Sequence, residues 1–210
     1  MNIVGGIIVV GVILISTVLH EIAHGYTAYF LGDETAKEDG RLTLNPLKHL
    51  DPFMSLILPL LLFFMGGVVF GGAKPVPVNS SKLKGGVWGM AFVALAGPFT
   101  NFLIAFGMFL IGHFTGFLYS SSLVGTIFVE FVLINLGFMV FNLVPVPPLD
   151  GSRILYALMP DGVRDFMDRI EKVGILIVYA LIVLGGGYFT WIMSGAIYGI
   201  LDGFYWIVGT

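Results

Sequence analysis

Nineteen uncharged residues, mostly Ile, Val, Leu and Gly, open the sequence, and further apolar stretches follow at short intervals. About 20 apolar residues are enough to carry a helix across the hydrocarbon layer of a bilayer. The candidate spans are Ile3 to about Phe30, Phe53–Phe70, Val87 to about Phe117, Leu123–Leu143, Val173–Leu184 and Tyr188–Val208. Only 11% of the residues are charged, against about 25% in an ordinary soluble domain. The expectation is an all-α integral membrane protein, a multi-pass bundle of about five to six transmembrane helices with the lipid bilayer as its solvent. The net charge of -3 gives no reason to expect a nucleic-acid partner. The first segment lacks the basic n-region and small-residue cleavage site of a signal peptide, so it is expected to be retained.

The polar stretches between the spans are short, so one membrane-embedded domain over residues 1–210 is expected, with a core at 3–155 and a C-terminal helical hairpin at 173–208. Gly185-Gly186-Gly187 between the last two segments reads either as a tight helical hairpin or as the hinge of a mobile lateral gate. The second segment differs from the others: Pro52 and Pro59 withhold backbone donors, and Gly66-Gly67 and Gly71-Gly72 loosen its end. Short extended stretches are expected near residues 33–45 and 73–79, the latter because prolines disfavour helix before themselves.

All ten Lys and Arg fall in three loops. They are Lys37, Arg41 and Lys48, then Lys74, Lys82 and Lys84, then Arg153, Arg164, Arg169 and Lys172. If Phe53–Phe70 spans the membrane, these split seven to three; if it is re-entrant, all ten lie on one side. The tendency of positive loops to stay cytoplasmic favours the re-entrant reading. It puts the N-terminus outside and the three basic loops on the cytoplasmic face.

Within the first span stands His20-Glu21-Ile22-Ala23-His24. The i, i+4 spacing places both imidazoles on one helix face, one turn apart, where they can share a metal ion. Glu21 is placed to act as general base on a water activated by that ion. The bland alternative is a pair of helix-end histidines with a glutamate snorkelling to the interface. Ionisable groups inside a membrane are costly and mark function by default. Cysteine is absent, so a metal must be held by His, Asp or Glu, and two imidazoles with a carboxylate suit Zn2+.

A catalytic zinc usually takes three protein ligands. Candidates for the third are Asp150, Glu130, His49, His113, Asp33 and Asp51. Asp150 lies in FNLVPVPPLDG, where Pro145, Pro147 and Pro148 end a helix and Asp150-Gly151 turn the chain. Non-helical backbone at membrane depth is tolerated where it lines a cavity, so its carboxylate can point at a metal; equally, Asp150 can simply cap the helix that follows. In the re-entrant count Asp150 reaches the same depth as the histidines, while Glu130 and His113 sit toward the opposite face.

HEIAHGY (His20–Tyr26), AGPFTN (Ala96–Asn101) and NLVPVPPLDG (Asn142–Gly151), in that order, resemble the site-2 protease family of membrane-embedded zinc metalloproteases, in its compact form without PDZ or CBS domains. The resemblance covers roughly residues 16 to 155. It implies an intramembrane endopeptidase with one Zn2+ per chain, acting on a transmembrane helix of another membrane protein in a prokaryotic cell membrane. It implies His20, His24 and Asp150 as zinc ligands, Glu21 as general base, and Asn142 as a catalytic helper that holds the substrate backbone or developing oxyanion. Asn101 is expected to pack or hydrogen-bond in the core. AKPVPVN (Ala73–Asn79) offers an extended edge on which an unwound substrate can pair. Two rival readings are a metal-binding membrane transporter or sensor, and a catalytically silent homologue. The sequence carries no signal for an oligomeric state.

Overall fold

The computed structural model describes residues 3–50 and 74–209, and every described element is helical. In chain order these are α1 (Ile3–Phe30), α2 (Thr35–Glu38), α3 (Gly86–Thr115), α4 (Leu123–Asn142), α5 (Asp150–Leu158), α6 (Asp161–Glu171) and α7 (Gly174–Val208), with short 3-10 turns between some of them. Four of these, α1, α3, α4 and α7, are long and apolar enough to cross a membrane. The Phe53–Phe70 segment, with its expected re-entrant path, lies outside the described residues.

The third and fourth expected spans correspond to α3 and α4. The fifth and sixth fall together in the 35-residue α7, whose helical backbone is interrupted at Gly186 (φ 46, ψ -127). A residue without a Cβ takes that conformation at little cost, so the interruption is confined to a single position. The stretch near 33–45 is not extended throughout as expected. Thr35–Glu38 wind into a short helix, because Asp33 Oδ1 accepts the Thr35 N–H (3.1 Å) and Thr35 hydroxyl (2.5 Å) and starts a turn. Residues 74–79 form no strand; Asn79 at their end has the expected extended backbone (φ -99, ψ 99).

Helix α3 is the centre of the bundle, in contact with α1, α4 and α5. Ala105 and Phe109 of α3, Val132 and Leu136 of α4 and Phe204 of α7 form the main buried cluster. Outward positions carry large apolar side chains, such as Ile7, Leu103 and Trp206. In lipid that exposure carries no hydrophobic cost. Close van der Waals packing and internal polar contacts hold the helices together instead. Ser122 caps α4 by accepting the Gly125 N–H at 3.1 Å.

One end of the bundle gathers the loops. The Leu31 carbonyl accepts the Lys84 N–H at 2.8 Å, the His49 carbonyl accepts the Lys74 N–H at 2.8 Å, and Arg41 Nη2 donates to the Lys74 carbonyl at 2.6 Å. Asp33 Oδ2 accepts the Asn79 N–H at 2.6 Å. Residues 33–49 and 74–84, which carry six of the basic side chains, are therefore on the same end. Segment 143–158 joins them there, since Pro75, Val76, Pro148 and Asp150 line one cavity. Arg153 and Glu171 form an ion pair that ties α5 to α6.

Candidate metal centre

His20 and His24 stand ten and six residues before the end of α1 at Phe30. At 1.5 Å per residue, roughly 9–15 Å of helix separates them from the loop end. Both are almost fully buried. Their Nε2 atoms lie 3.0 Å apart. From the other side Asp150, the first residue of α5, brings Oδ2 to 3.2 Å from His20 Nε2 and 3.4 Å from His24 Nε2. Among the described residues, this is the one cluster of His and acidic side chains arranged to hold a metal ion.

The far ring nitrogens determine what the near ones can do. His24 Nδ1 is 2.7 Å from the Val93 carbonyl, an obligate acceptor, so Nδ1 carries the hydrogen. His20 Nδ1 is 2.5 Å from Asn101 Oδ1 and donates there too, while Asn101 Nδ2 donates to Asn135 Oδ1 at 2.8 Å. In the neutral rings both Nε2 atoms then present lone pairs. Asp150 Oδ2 is buried with no hydrogen-bond partner. Three electron-rich atoms thus converge with no hydrogen among them. A proton can satisfy one pair at a time; a metal ion satisfies all three. For a tetrahedral ion with ligands at about 2.0–2.1 Å, donor atoms lie about 3.3 Å from each other, and the observed separations bracket that value. The residues fit zinc.

One feature of α3 permits this approach. At Gly97 a Cβ would sit 2.5 Å from His20 Cε1 and His24 Nε2 and 2.6 Å from His20 Nε2. Only a residue without a side chain leaves the two imidazoles their place, which accounts for the glycine in AGPFTN.

Asp150 does not cap α5. The capping position belongs to Leu149, and no side-chain cap bond is present; Asp150-Gly151, expected as a turn, are the first residues of the helix. The other candidates for a third ligand are engaged elsewhere. His49 Nε2 donates to the Thr43 carbonyl at 2.8 Å, and Asp33 holds the loop. His113 pairs with the Tyr119 hydroxyl at 2.7 Å near the far end of α3. Glu130 lies on α4 away from the cluster, and Asp51 is outside the described residues.

Beside the donor triad is a cavity of about 310 Å3, lined by Glu21, Asn142 and Arg153 among others. Glu21 Oε2 accepts the Val76 N–H at 2.8 Å. Asn142 Nδ2 donates to the Phe138 carbonyl one turn back, at 3.0 Å, which leaves its second N–H for another acceptor. In residues 74–79, Pro75 and Pro77 have no N–H, and the N–H groups of Lys74, Val76 and Asn79 are bonded to the protein. An incoming strand is left mainly carbonyl oxygens.

The family model described as Peptidase family M50 matches residues 117–185, which include Asp150. "Putative zinc metalloprotease YwhC" of Bacillus subtilis is 41% identical over 192 residues, covering 88% of this chain and 84% of that protein. The chain belongs to peptidase family M50. "Putative zinc metalloprotease Rip2" of Mycolicibacterium smegmatis is 33% identical over 183 residues, covering 84% of this chain and 67% of its own. The Mycobacterium tuberculosis H37Rv protein of the same name is 32% identical over 201 residues, covering 90% and 71%. No solved structure matches the chain at a significant level. As an M50 member, the site-2 protease family, the chain is a membrane metalloprotease, and the His20, His24 and Asp150 cluster is its candidate site for Zn2+.

Sequence reasoning named the three donors that the structure brings together but missed the residues behind them. Asn135 and Ser16 are fully buried and hydrogen-bonded behind His20, and Arg153 lines the cavity. An amide in the middle of an apolar span was the available signal for Asn135, because a polar group there must find a partner.

Proposed function

We propose that this protein is an intramembrane zinc endopeptidase that hydrolyses a peptide bond within the transmembrane segment of another membrane protein. One observation carries the reading: three lone-pair donors meet at 3.0–3.4 Å inside the span of α1, beside a cavity with its own carboxylate. In this reading His20, His24 and Asp150 hold the ion. When bound, Zn2+ polarises the scissile carbonyl and acidifies the attacking water. Glu21 takes the proton of that water as general base and returns it to the leaving amine. Asn142 donates its second N–H toward the developing oxyanion, a role suited to a neutral, fixed donor.

A helical substrate shields its amides with its own hydrogen bonds, so it must unwind before attack. The extended segment 74–79 gives it an edge to lie on. Because most N–H groups there are already engaged, the pairing runs through substrate N–H groups donating to carbonyls of this segment. The basic loops gathered at the end nearest the centre support a cytoplasmic position for that end, by the positive-inside tendency, in a bacterial cell membrane like those of the relatives.

The test uses purified full-length chain reconstituted with a model transmembrane substrate. Cleavage by the native protein, lost by about 10²–10⁴-fold in Glu21→Gln with zinc content unchanged, is the expected result. A metal transporter built on the same donors keeps its flux in Glu21→Gln, and a silent homologue cleaves nothing in either form.

A further inference from the structure

Behind His20 a chain of side-chain hydrogen bonds crosses three helices. Asn135 Nδ2 donates to the Phe131 carbonyl at 2.8 Å and to Ser16 Oγ at 2.8 Å. Asn135 Oδ1 accepts from Asn101 Nδ2 at 2.8 Å, and Asn101 Oδ1 faces His20 Nδ1 at 2.5 Å. Ser16, Asn101 and Asn135 are each 0% exposed. An amide can turn end for end, so what sets its orientation is the partner that cannot. Here that partner is the Phe131 backbone carbonyl, which only accepts. It fixes Asn135 with its nitrogen toward α4 and its oxygen toward Asn101. That oxygen in turn fixes Asn101 with its own oxygen toward His20.

We infer that Asn135 is a positioning residue that sets the tautomer of His20 through Asn101, holding the proton on Nδ1 and leaving Nε2 free to bind the ion. The inference rests on the metalloprotease reading only in that His20 must bind a metal. If Asn135 could not accept, Asn101 would be free to turn its nitrogen to His20 Nδ1. The ring would then carry its hydrogen on Nε2, the atom that must coordinate. His24 needs no such relay, because the Val93 carbonyl accepts from its Nδ1 directly. Partners that fix the tautomer of a ligating histidine typically contribute about 10–100-fold to metal affinity.

A double-mutant cycle tests the relay. Zn2+ affinity of the purified full-length chain is measured by competition with a chelator of known affinity. Asn135→Leu keeps the volume but cannot accept from Asn101, and is expected to weaken Zn2+ binding by about 10–100-fold. Asn101→Asp presents only acceptor oxygens to His20 and needs no orienting partner. In that background Asn135 Oδ1 faces a carboxylate oxygen, so Asn135→Leu is expected not to weaken Zn2+ binding, a coupling that independent packing defects do not show. Equal weakening in both backgrounds, or no weakening in either, overturns the proposal. A second measurement needs no variant at position 135: nitrogen-15 spectra of histidine-labelled apoprotein, with the His20 signals assigned by their loss in His20→Gln. A proton is expected on Nδ1, and a ring protonated on Nε2 but not on Nδ1 overturns the proposal whatever the variants do. Neither readout depends on proteolysis, so a protein that binds zinc but cleaves nothing would still decide the relay.

Discussion

Asp150 Oδ2 lies 3.2 Å from His20 Nε2 and 3.4 Å from His24 Nε2, and in the neutral rings neither nitrogen has a hydrogen to give it. Without an ion a proton can join only one pair of the three atoms; an ion joins all three. Asp150→Asn therefore has unequal effects in the two states. With metal it should weaken Zn2+ binding by more than the roughly 10–100-fold that loss of an outer partner brings. In chelator-treated protein it should cost much less stability, because the amide can donate to an imidazole in place of the proton that the native triad takes up. Thermal unfolding with and without chelator checks the difference. A variant destabilised equally in the two conditions would mean that Asp150 is structural.

Gly97→Ala isolates a steric requirement. In an ordinary helix interior, alanine stabilises relative to glycine by about 0.5–1 kcal/mol. Here the added Cβ would lie 2.5–2.6 Å from atoms of both imidazoles. Each ring is tethered at Nδ1, to Asn101 and to Val93, so neither can swing away without losing a buried bond. Zinc content of the purified variant should fall well below that of the native chain, despite the better helix former. Full zinc occupancy would show that α3 can retreat from α1.

The donor triad was legible where its information is local. The five-residue motif on one helix declares its two histidines by spacing, whereas spacing left Asp150 as either a ligand or a cap until its depth and the family resemblance favoured the ligand. The boundaries of α1, α3 and α4 were legible for the same reason, as uninterrupted apolar length. What escaped was relational. Asn135 is one amide in an apolar helix until α1 and α3 are packed against it, and Gly97 is one glycine among 29 until two imidazoles press on it. The helical turn at Thr35–Glu38 was missed because it depends on Asp33, whose carboxylate also fastens Asn79, 46 residues away.

Asp33 gives the pH dependence outside the membrane spans. Burial by itself would raise its pKa. The hydrogen bonds from the Thr35 hydroxyl and the Asn79 and Thr35 N–H groups, with the Lys82 charge nearby, outweigh burial and hold the carboxyl below its ordinary value of 3.8. A carboxylate with a lowered folded-state pKa contributes stability that is present above the unfolded value and lost as pH falls through the folded one. Asp33→Asn should therefore destabilise the chain by about 1–3 kcal/mol near neutrality. The gap from the native protein should narrow only below the ordinary carboxylate value. Unfolding midpoints in detergent from neutral to acid pH measure it, and a constant gap throughout would assign the effect to shape rather than charge.

The contact between Glu21 Oε2 and the Val76 N–H, 2.8 Å, predicts that segment 74–79 orients the carboxylate. A single amide donor fixes one carboxylate oxygen and leaves the other for proton transfer. Val76→Pro deletes that donor in a backbone already non-helical, and it also alters a buried side chain. Val76→Ala keeps the N–H and removes the side chain. If the contact orients Glu21, Val76→Pro should lower the cleavage rate at saturating substrate by about tenfold or more at unchanged zinc content, on the scale of other lost charge-assisted bonds. Val76→Ala should retain most of that rate and act mainly on KM. Equal losses in the two variants would make this residue a packing contact for the substrate, and an unaffected rate in Val76→Pro would show that Glu21 is aligned from elsewhere.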